Sequence, residues 1–294
     1  MKVLLTGGTG QLGWHLARLL PRVGETLAAD RASLDLAQPD SLRAAIRAAR
    51  PDVIVNAAAY TAVDRAESEE DLAHAINATA PGVMAEEAQR LGALLVHYSS
   101  DYVFDGASQK PYVESDTPNP INAYGRSKLA GEAAIAAAGG AYLILRTSWL
   151  YDTRGSNFVL TMLRLAGERE VLQVVDDQVG CPTWAHAVAE ATLGLLSDLM
   201  RAKKASGVYH LSARGSVSRY EFTRRLLALT GALHAHAARP RVLPIKTADF
   251  PSPAARPRNC VLDNTRMRDT FGVALPDWEV QLRLCLAARV RVER

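Results

Sequence analysis

A tyrosine and a lysine four residues apart, Tyr124 and Lys128, are the residues best suited to proton transfer in this chain. Residues at this spacing lie on one face of a helix. An ammonium favours the phenolate beside it, so the pair predicts that Lys128 lowers the pKa of Tyr124 from its usual value of about 10. Such a tyrosine can exchange a proton with a substrate oxygen near neutral pH. Chance can place this pair on any amphipathic helix, so the elements around it must decide its role.

A glycine-rich turn near the start of the chain predicts a site for a nucleotide cofactor. The apolar run Val3 to Leu5 predicts a buried strand, and an apolar stripe that begins at Leu12 predicts a helix. Glycines 7, 8, 10 and 13 stand between and within them, in the spacing that lets a backbone approach a pyrophosphate at a helix N-terminus. Asp30 ends the next predicted strand, where a carboxylate can hold the adenosine ribose. We prefer this interpretation to a plain glycine turn.

Strands and helices alternate through the first half of the chain. This order predicts an α/β fold, a Rossmann-like doubly wound parallel sheet with a smaller, mostly C-terminal α/β substrate-binding domain. We expect the cofactor domain at residues 1–150, a strand near 207–212 that rejoins its sheet, and a mainly substrate-binding domain at 151–294. The predicted strands are 25–29, 52–56, 93–98, 141–147 and 208–211, and the helix 121–138 carries Tyr124 and Lys128. The carboxyl ends of the strands converge on one crevice.

Composition fits an enzyme of the cytoplasm and excludes several other classes. The 294 residues include 34 basic and 31 acidic side chains, without a basic run that predicts nucleic-acid binding. No apolar stretch approaches membrane-spanning length. The three cysteines, Cys181, Cys260 and Cys285, are scattered and lack metal-ligand spacing. We therefore expect buried, inert thiols and no metal site.

Ser100 and Asp101 follow a predicted strand about two dozen residues before Tyr124. Serine and aspartate both favour turns, so a plain turn would be the better interpretation of this segment by itself. At the carboxyl edge of the sheet, however, Ser100 is placed to hydrogen-bond a substrate oxygen. The position therefore favours a catalytic set of Ser100, Tyr124 and Lys128.

These motifs resemble the extended short-chain dehydrogenase/reductase superfamily and, within it, the dTDP-4-dehydrorhamnose reductase family. The resemblance covers essentially the whole chain. It is carried by segments 6–14, 50–64, 98–104, 123–132, 145–151, 177–183, 255–259 and 275–278. It implies reduction of the 4-keto group of a dTDP-linked 6-deoxy sugar in dTDP-rhamnose biosynthesis, as needed for cell-wall polysaccharide, with Tyr124 as the proton donor.

The resemblance and the glycine motif together assign candidate binding residues. The cofactor set is Gly7, Gly10, Gln11, Leu12, Gly13, Asp30, Arg31, Asp35, Leu36, Ala58, Ala59, Tyr60, Tyr98, Tyr124 and Lys128. The substrate set is Ser100, Asp101, Tyr102, Trp149, Arg256 and Asn259. Asp30 would repel the 2′-phosphate of NADPH, and Arg31 beside it would offset that repulsion. We therefore expect use of both NADPH and NADH.

Some members of the family form dimers that magnesium bridges through glutamates. The matching positions here are His15, His186 and about Ala288. Imidazole is a poor ligand for magnesium, which prefers oxygen. We therefore expect a monomer or a homodimer without a magnesium bridge, and we expect both histidines at the surface rather than on a softer metal.

Two alternatives stay open at this point. A sugar-nucleotide epimerase or dehydratase would share the fold, the cofactor turn and the Tyr–Lys pair. A non-catalytic regulatory subunit that resembles the β subunit of methionine adenosyltransferase would share the fold alone, although the intact Ser100, Tyr124 and Lys128 disfavour it.

Overall fold

A computed structural model describes residues 1–231 and 240–292, which contain thirteen strands and twelve α-helices. The strands are β1 (Lys2–Thr6), β2 (Glu25–Ala29), β3 (Val53–Asn56), β4 (Leu94–Ser100), β5 (Ala141–Thr147), β6 (Leu150–Tyr151), β7 (Val171–Val175), β8 (Val179–Gly180), β9 (Thr183–Trp184), β10 (Gly207–His210), β11 (Val217–Ser218), β12 (Arg241–Ile245) and β13 (Asn259–Cys260). The helices are α1 (Gln11–Leu19), α2 (Pro39–Ala49), α3 (Val63–Ala66), α4 (Glu70–His74), α5 (Ala80–Leu91), α6 (Ala123–Ala138), α7 (Phe158–Glu168), α8 (Ala185–Ser197), α9 (Leu199–Lys204), α10 (Arg219–Gly231), α11 (Thr265–Phe271) and α12 (Trp278–Val292). A π-helical stretch, Ala75–Thr79, joins α4 to α5.

The central sheet has six parallel strands in the order β10-β5-β4-β3-β1-β2. This arrangement confirms the predicted doubly wound α/β fold. Strands β2 and β5 have the predicted bounds, whereas β4 runs two residues further, to Ser100. Strand β10 comes from the second half of the chain and pairs with β5. The division into domains at residue 150 stays a prediction.

The sheet is covered on both faces, which explains why its inner strands read as continuous apolar runs. Helices α1 and α8 pack on one face through residues such as Leu16 and Val188. Helices α2, α5 and α6 pack on the other through residues such as Ile46, Met84 and Ile135. All residues of β3 and β4 are buried. The rigid sheet therefore fixes the positions of the side chains at its carboxyl edge.

A second apolar cluster holds the later part of the chain together. It joins α7, α10 and α12 to short strands through Val159, Phe222, Leu226 and Leu282. Those strands form small sheets, with β12 parallel to β7 and with the order β11-β8-β13. Within residues 1–231 and 240–292, no helix is both long and apolar enough to cross a bilayer.

Candidate active site

A cleft of about 760 Å³ opens at the carboxyl ends of β1, β3, β4 and β5. Every candidate residue except Gly13, Arg256 and Asn259 lines it. The lining thus includes Gly7, Gly10, Gln11, Leu12, Asp30, Arg31, Asp35, Leu36, Ala58, Ala59, Tyr60, Tyr98, Ser100, Asp101, Tyr102, Tyr124, Lys128 and Trp149. The structure therefore brings these side chains together, and what each of them binds stays a prediction.

The glycine turn has a shape that only glycine allows at two positions. Gly7 has φ +71°, and a Cβ there would lie 2.7 Å from the amide nitrogen of Ala58. A Cβ on Gly13 would lie 1.9 Å from the carbonyl oxygen of Gly7, so glycine lets α1 pack against the turn. No side chain caps the N-terminus of α1 at Gly10, and its first turn carries no acid. The open, positive end of this helix fits a pyrophosphate.

Asp30 directly follows β2 and lines the cleft together with the glycine turn. Its Oδ1 accepts hydrogen bonds from the backbone and the hydroxyl of Ser33, at 2.9 Å each. The backbone bond from Ser33 is the main reason why the pKa of Asp30 is lowered, so the carboxylate is charged at neutral pH. Arg31 lines the cleft beside it. This end of the cleft therefore carries one acidic and one basic side chain.

Tyr124 lies at the start of α6, whose N-terminus is capped by Asn122. The Asn122 side chain accepts a hydrogen bond from the Gly125 backbone at 2.7 Å. A Cβ on Gly125 would lie 2.2 Å from the carbonyl oxygen of Tyr102, so glycine brings this helix close to the turn after β4. The rings of Tyr102 and Tyr124 meet edge to face at 5.8 Å. The phenol of Tyr124 is thereby held at the wall of the cleft.

The pKa of Tyr124 differs from the prediction. Protein atoms surround the phenol on the sides away from the cleft, and burial raises its pKa, an effect that a hydrogen bond with Ser100 partly offsets. Lys128 is not among the groups that shift this pKa, so the predicted lowering by Lys128 is wrong for this structure. The Nζ of Lys128 instead donates to the carbonyl oxygen of Tyr98 at 2.7 Å. Tyr124 therefore keeps its proton at neutral pH.

A line of buried polar side chains, which the sequence analysis missed, runs from β1 to Lys128. Thr6 donates to the Oδ1 of Asn56 at 2.7 Å, and the Nδ2 of Asn56 lies 3.0 Å from the Nδ1 of His97. The Nε2 of His97 lies 3.1 Å from the Nζ of Lys128. Burial lowers the pKa of His97 well below its usual value and that of Lys128 to about 8. The sequence did contain a signal for this line, because Thr6, Asn56 and His97 are polar residues at matching positions of adjacent apolar strands.

Ser100 and Asp101 form a hydrogen-bonded unit at the end of β4. The Ser100 hydroxyl donates to Asp101 at 2.9 Å and accepts a bond from the Tyr102 backbone at 3.1 Å. Ser148 donates to the other carboxylate oxygen of Asp101 at 2.8 Å. Burial raises the pKa of Asp101. These bonds hold the Ser100 oxygen in a defined place beside Tyr124.

Two candidate substrate residues lie away from the cleft lining. Arg256 makes two hydrogen bonds with the carboxylate of Asp64, at 3.0 and 2.9 Å. Asn259 donates to the carbonyl oxygens of Ser108 and Lys110. Arg219, by contrast, lines the cleft next to Trp149 and escaped the sequence analysis. Arg219 is the first residue of a helix in the second half of the chain, and no sequence motif there indicated a role in binding.

The two histidines expected at the surface are partly buried, and they lie together. The Nε2 of His15 lies 3.0 Å from the Oδ2 of the buried Asp152, and the rings of His15 and His186 are 5.0 Å apart. Trp184 donates to the same carboxylate at 3.0 Å. The surface prediction is therefore wrong for His15, whose imidazole pairs with the buried Asp152, whereas the side chain of His186 is 32% exposed. Within the described ranges, no group of three or more His, Cys, Asp or Glu side chains is arranged to hold a metal ion.

The three cysteines are free and buried, which confirms that prediction. Burial raises the pKa of Cys181 to about 11 and raises the pKa values of Cys260 and Cys285 as well. A protonated, buried thiol is a poor nucleophile. These side chains therefore contribute packing.

Comparison with known proteins gives similarity over nearly the whole chain. The family model described as "RmlD substrate binding domain" matches residues 1–291. A dTDP-4-dehydrorhamnose reductase from Burkholderia thailandensis is 47% identical over 292 residues, which cover 97% of this chain and 98% of that protein. The crystal structure of a dTDP-4-dehydrorhamnose reductase from Clostridium acetobutylicum has a TM-score of 0.91 and 37% identity, over 98% of this chain and 99% of that one. A second such structure, from Bacillus anthracis in complex with NADP, has a TM-score of 0.90 and 37% identity over the same shares of the two chains.

Proposed function

The chain belongs to the dTDP-4-dehydrorhamnose reductase family, and we propose that it reduces the 4-keto group of dTDP-4-dehydro-6-deoxy-L-mannose (dTDP-4-dehydrorhamnose) to give dTDP-L-rhamnose. The reductant is NADPH or NADH. One observation carries the proposal. The cleft that contains the glycine turn and Asp30 also contains Ser100, Tyr124 and Lys128.

The residues of the first half fit a dinucleotide. The uncapped N-terminus of α1 would hold the pyrophosphate, and Asp30 with Arg31 would hold the adenosine ribose. Lys128 would hold the nicotinamide ribose. When bound, the reduced nicotinamide supplies the hydride. Asp30 disfavours a 2′-phosphate and Arg31 favours it, so both cofactors are accepted.

Tyr124 acts as the general acid. Because burial raises its pKa, the phenol carries its proton at neutral pH. A reduction needs such a donor, since the carbonyl oxygen gains negative charge as the carbonyl carbon is reduced. Lys128, with a pKa of about 8, is largely an ammonium at neutral pH, the form that donates most hydrogen bonds to a ribose hydroxyl.

Ser100 positions the substrate oxygen beside Tyr124. The hydroxyl oxygen of Ser100 is held in place by the hydrogen bond from the Tyr102 backbone and by the hydrogen bond that Ser100 donates to Asp101. The Ser100 proton, which Asp101 accepts in this structure, would turn to the substrate oxygen as negative charge develops there. Ser148 in turn fixes Asp101, so each bond of the set orients the next.

The later half of the chain completes the site. We assign residues 1–150, together with β10, to the cofactor domain and residues 151–294 mainly to substrate binding. Trp149 and Arg219 lie where the two parts meet. We further propose a cytoplasmic monomer or homodimer without a magnesium bridge, since Asp152 engages His15 and imidazole is a poor magnesium ligand.

A coupled assay tests this function. The 4-keto substrate is made from dTDP-glucose with the upstream dehydratase and epimerase, and the absorbance of NADPH or NADH is followed. We expect one cofactor to be oxidised for each sugar reduced, with dTDP-L-rhamnose as the product in the NMR spectrum. Interconversion of sugars without net cofactor oxidation would instead make the protein an epimerase or dehydratase. A failure to oxidise either cofactor would contradict the proposal.

A further inference from the structure

Arg219 is a cation of the cleft that the reaction described above leaves without a role. It is the first residue of α10, and its guanidinium carbon lies 4.0 Å from the centre of the Trp149 ring. The ring of Phe158 lies at 5.0 Å from the same carbon. Two aromatic side chains therefore flank the guanidinium, an arrangement that restricts its motion.

Hydrogen bonds hold Arg219 at its inner end and leave its outer end available. Its Nε donates to the side-chain oxygen of Gln178 at 3.1 Å, and its backbone donates to the Gln178 carbonyl at 3.2 Å. Gln178 is buried and donates in turn to Thr247 at 3.2 Å. In the described part of the chain, Nη1 and Nη2 have no hydrogen-bond or ion-pair partner. A guanidinium fixed through Nε presents these two amino groups as a fork.

Trp149 supports this arginine through an unusual backbone. It has φ +45°, in the left-handed region that non-glycine residues rarely adopt. Its indole packs on Gly180, where a Cβ would lie 2.5 Å from the Cε2 atom of the ring. The Trp149 indole therefore packs between Gly180 on one side and the Arg219 guanidinium on the other. Backbone strain of this kind persists where the surrounding structure maintains a functional arrangement.

Arg219 is the cation at the substrate end of the cleft, where the buried carboxyl of Asp101 is near enough for the two groups to interact through charge. Arg31 lies beside Asp30 at the adenosine end, and Lys128 is bonded to the Tyr98 carbonyl. Arg154 stacks on Trp14 of α1 at 3.7 Å, on the cofactor side. The candidate cation Arg256 is neutralised by Asp64. Among the described residues, Arg219 is therefore the cation best placed to bind a dianionic group at the substrate end of the cleft.

We propose that the free Nη1 and Nη2 of Arg219 bind the diphosphate of the nucleotide-linked sugar, and that this fork selects nucleoside diphosphate sugars over free sugars. The inference rests on the proposed function. C4 and C1 lie on opposite sides of a pyranose ring, so a sugar whose C4 faces Tyr124 directs its C1 phosphate away from Tyr124. Arg219 lines the same cleft as Tyr124, and a planar fork matches phosphate oxygens in a bidentate contact.

The test compares ligands that differ only in the diphosphate. Wild type, Arg219→Met and Arg219→Lys are titrated with dTDP by calorimetry and with thymidine by ligand-observed NMR. Arg224→Met is the matched control, because Arg224 lies on the same helix, is exposed and pairs with Glu221. We expect the Kd for dTDP to rise about 10- to 100-fold in Arg219→Met, the loss of one or two charged hydrogen bonds. Thymidine binding should be unchanged, Arg219→Lys should recover part of the dTDP affinity, and the control should match wild type.

Two results would overturn the inference while the proposed function stands. One is unchanged dTDP affinity in Arg219→Met. The other is an equal loss for dTDP and thymidine, since that loss would assign Arg219 to support of Trp149 alone. A wild type that does not bind dTDP would overturn both this inference and the proposed substrate. A wild type that binds dTDP through Arg219 but reduces no 4-keto sugar would contradict only the reaction.

Discussion

Replacing Lys128 with methionine is expected to stabilise the folded protein near neutral pH, although it removes a residue of the proposed catalytic set. The pKa of Lys128 is about 8, against 10.5 for a lysine in water. At about 1.4 kcal/mol per pKa unit, holding the buried ammonium costs about 3 kcal/mol. Methionine removes that cost but leaves the Tyr98 carbonyl and the Nε2 of His97 without their partner, which together loses about 1 to 2 kcal/mol. The net gain at pH 7 is therefore about 1 to 2 kcal/mol.

The dependence on pH follows from the direction of this pKa shift. The folded-state pKa lies below the unfolded value, so between about pH 8 and 10.5 the unfolded state binds more protons. The free energy of unfolding of wild type, relative to the variant, is lowest below pH 8 and rises through that window. Over the interval from pH 8 to 9.5 wild type should regain about 2 kcal/mol. The advantage of Lys128→Met should therefore be absent at pH 9.5.

Urea denaturation of both proteins at pH 7 and 9.5, without added nucleotide, measures this difference. Lys246→Met is the control, because Lys246 is exposed and Asp176 raises its pKa. The difference in free energy of unfolding between Lys246→Met and wild type should be the same at pH 7 and 9.5, because Lys246 stays protonated in both the folded and the unfolded state. The reasoning would be refuted by a Lys128→Met protein that is less stable than wild type at pH 7, or by a stability difference that does not change with pH.

Three further predictions concern the cofactor turn, cofactor choice and the thiols. Gly13→Ala should weaken NADPH binding at least about tenfold and destabilise the protein by about 1 to 3 kcal/mol, because its Cβ meets the Gly7 carbonyl; Gly167→Ala, in open space on α7, should bind NADPH as wild type does. Fluorescence titration and thermal melts measure both, and normal binding by Gly13→Ala would count against the turn. The ratio of kcat/KM for NADPH over NADH should lie within about a hundredfold, about 2.7 kcal/mol; a larger ratio would reject dual use. The three buried cysteines should react slowly with Ellman's reagent in the native protein and fully in urea; rapid native reaction would contradict their burial.

Local patterns predicted much of the fold and the centre of the site. The apolar runs and the glycine turn predicted β1, α1 and the parallel sheet, because period and turn chemistry are properties of neighbouring residues. The spacing of Tyr124 and Lys128 placed both on α6, and both line the cleft. Helical spacing did not determine the partner of the lysine, however. The carbonyl oxygen of Tyr98, 30 residues away, accepts a hydrogen bond from the Lys128 ammonium where α6 packs on β4.

The missed features depend on contacts between distant parts of the chain. Asp64 and Arg256 are 192 residues apart, and the bonds between them decide that Arg256 is not free. Trp149 meets Arg219 and Gly180 only when α10 and β8 reach the end of β5. His15 was expected at the surface because imidazole is a poor ligand for magnesium, but Asp152, 137 residues further along the chain, pairs with it. Residue type sets what a side chain can bind, whereas the tertiary structure sets which partner is present.

In the proposed reaction, Tyr124 delivers the proton to the reduced oxygen. The most direct test of this step compares kcat for wild type and Tyr124→Phe, with the 4-keto sugar nucleotide and NADPH, alongside the Kd for NADPH. We predict a loss in kcat of about 10²-fold or more, since general acid catalysis contributes about that much, and a rise in the Kd for NADPH of no more than about tenfold, the loss of one hydrogen bond from a residue of the cofactor set. A Tyr124→Phe protein with wild-type kcat would contradict the account.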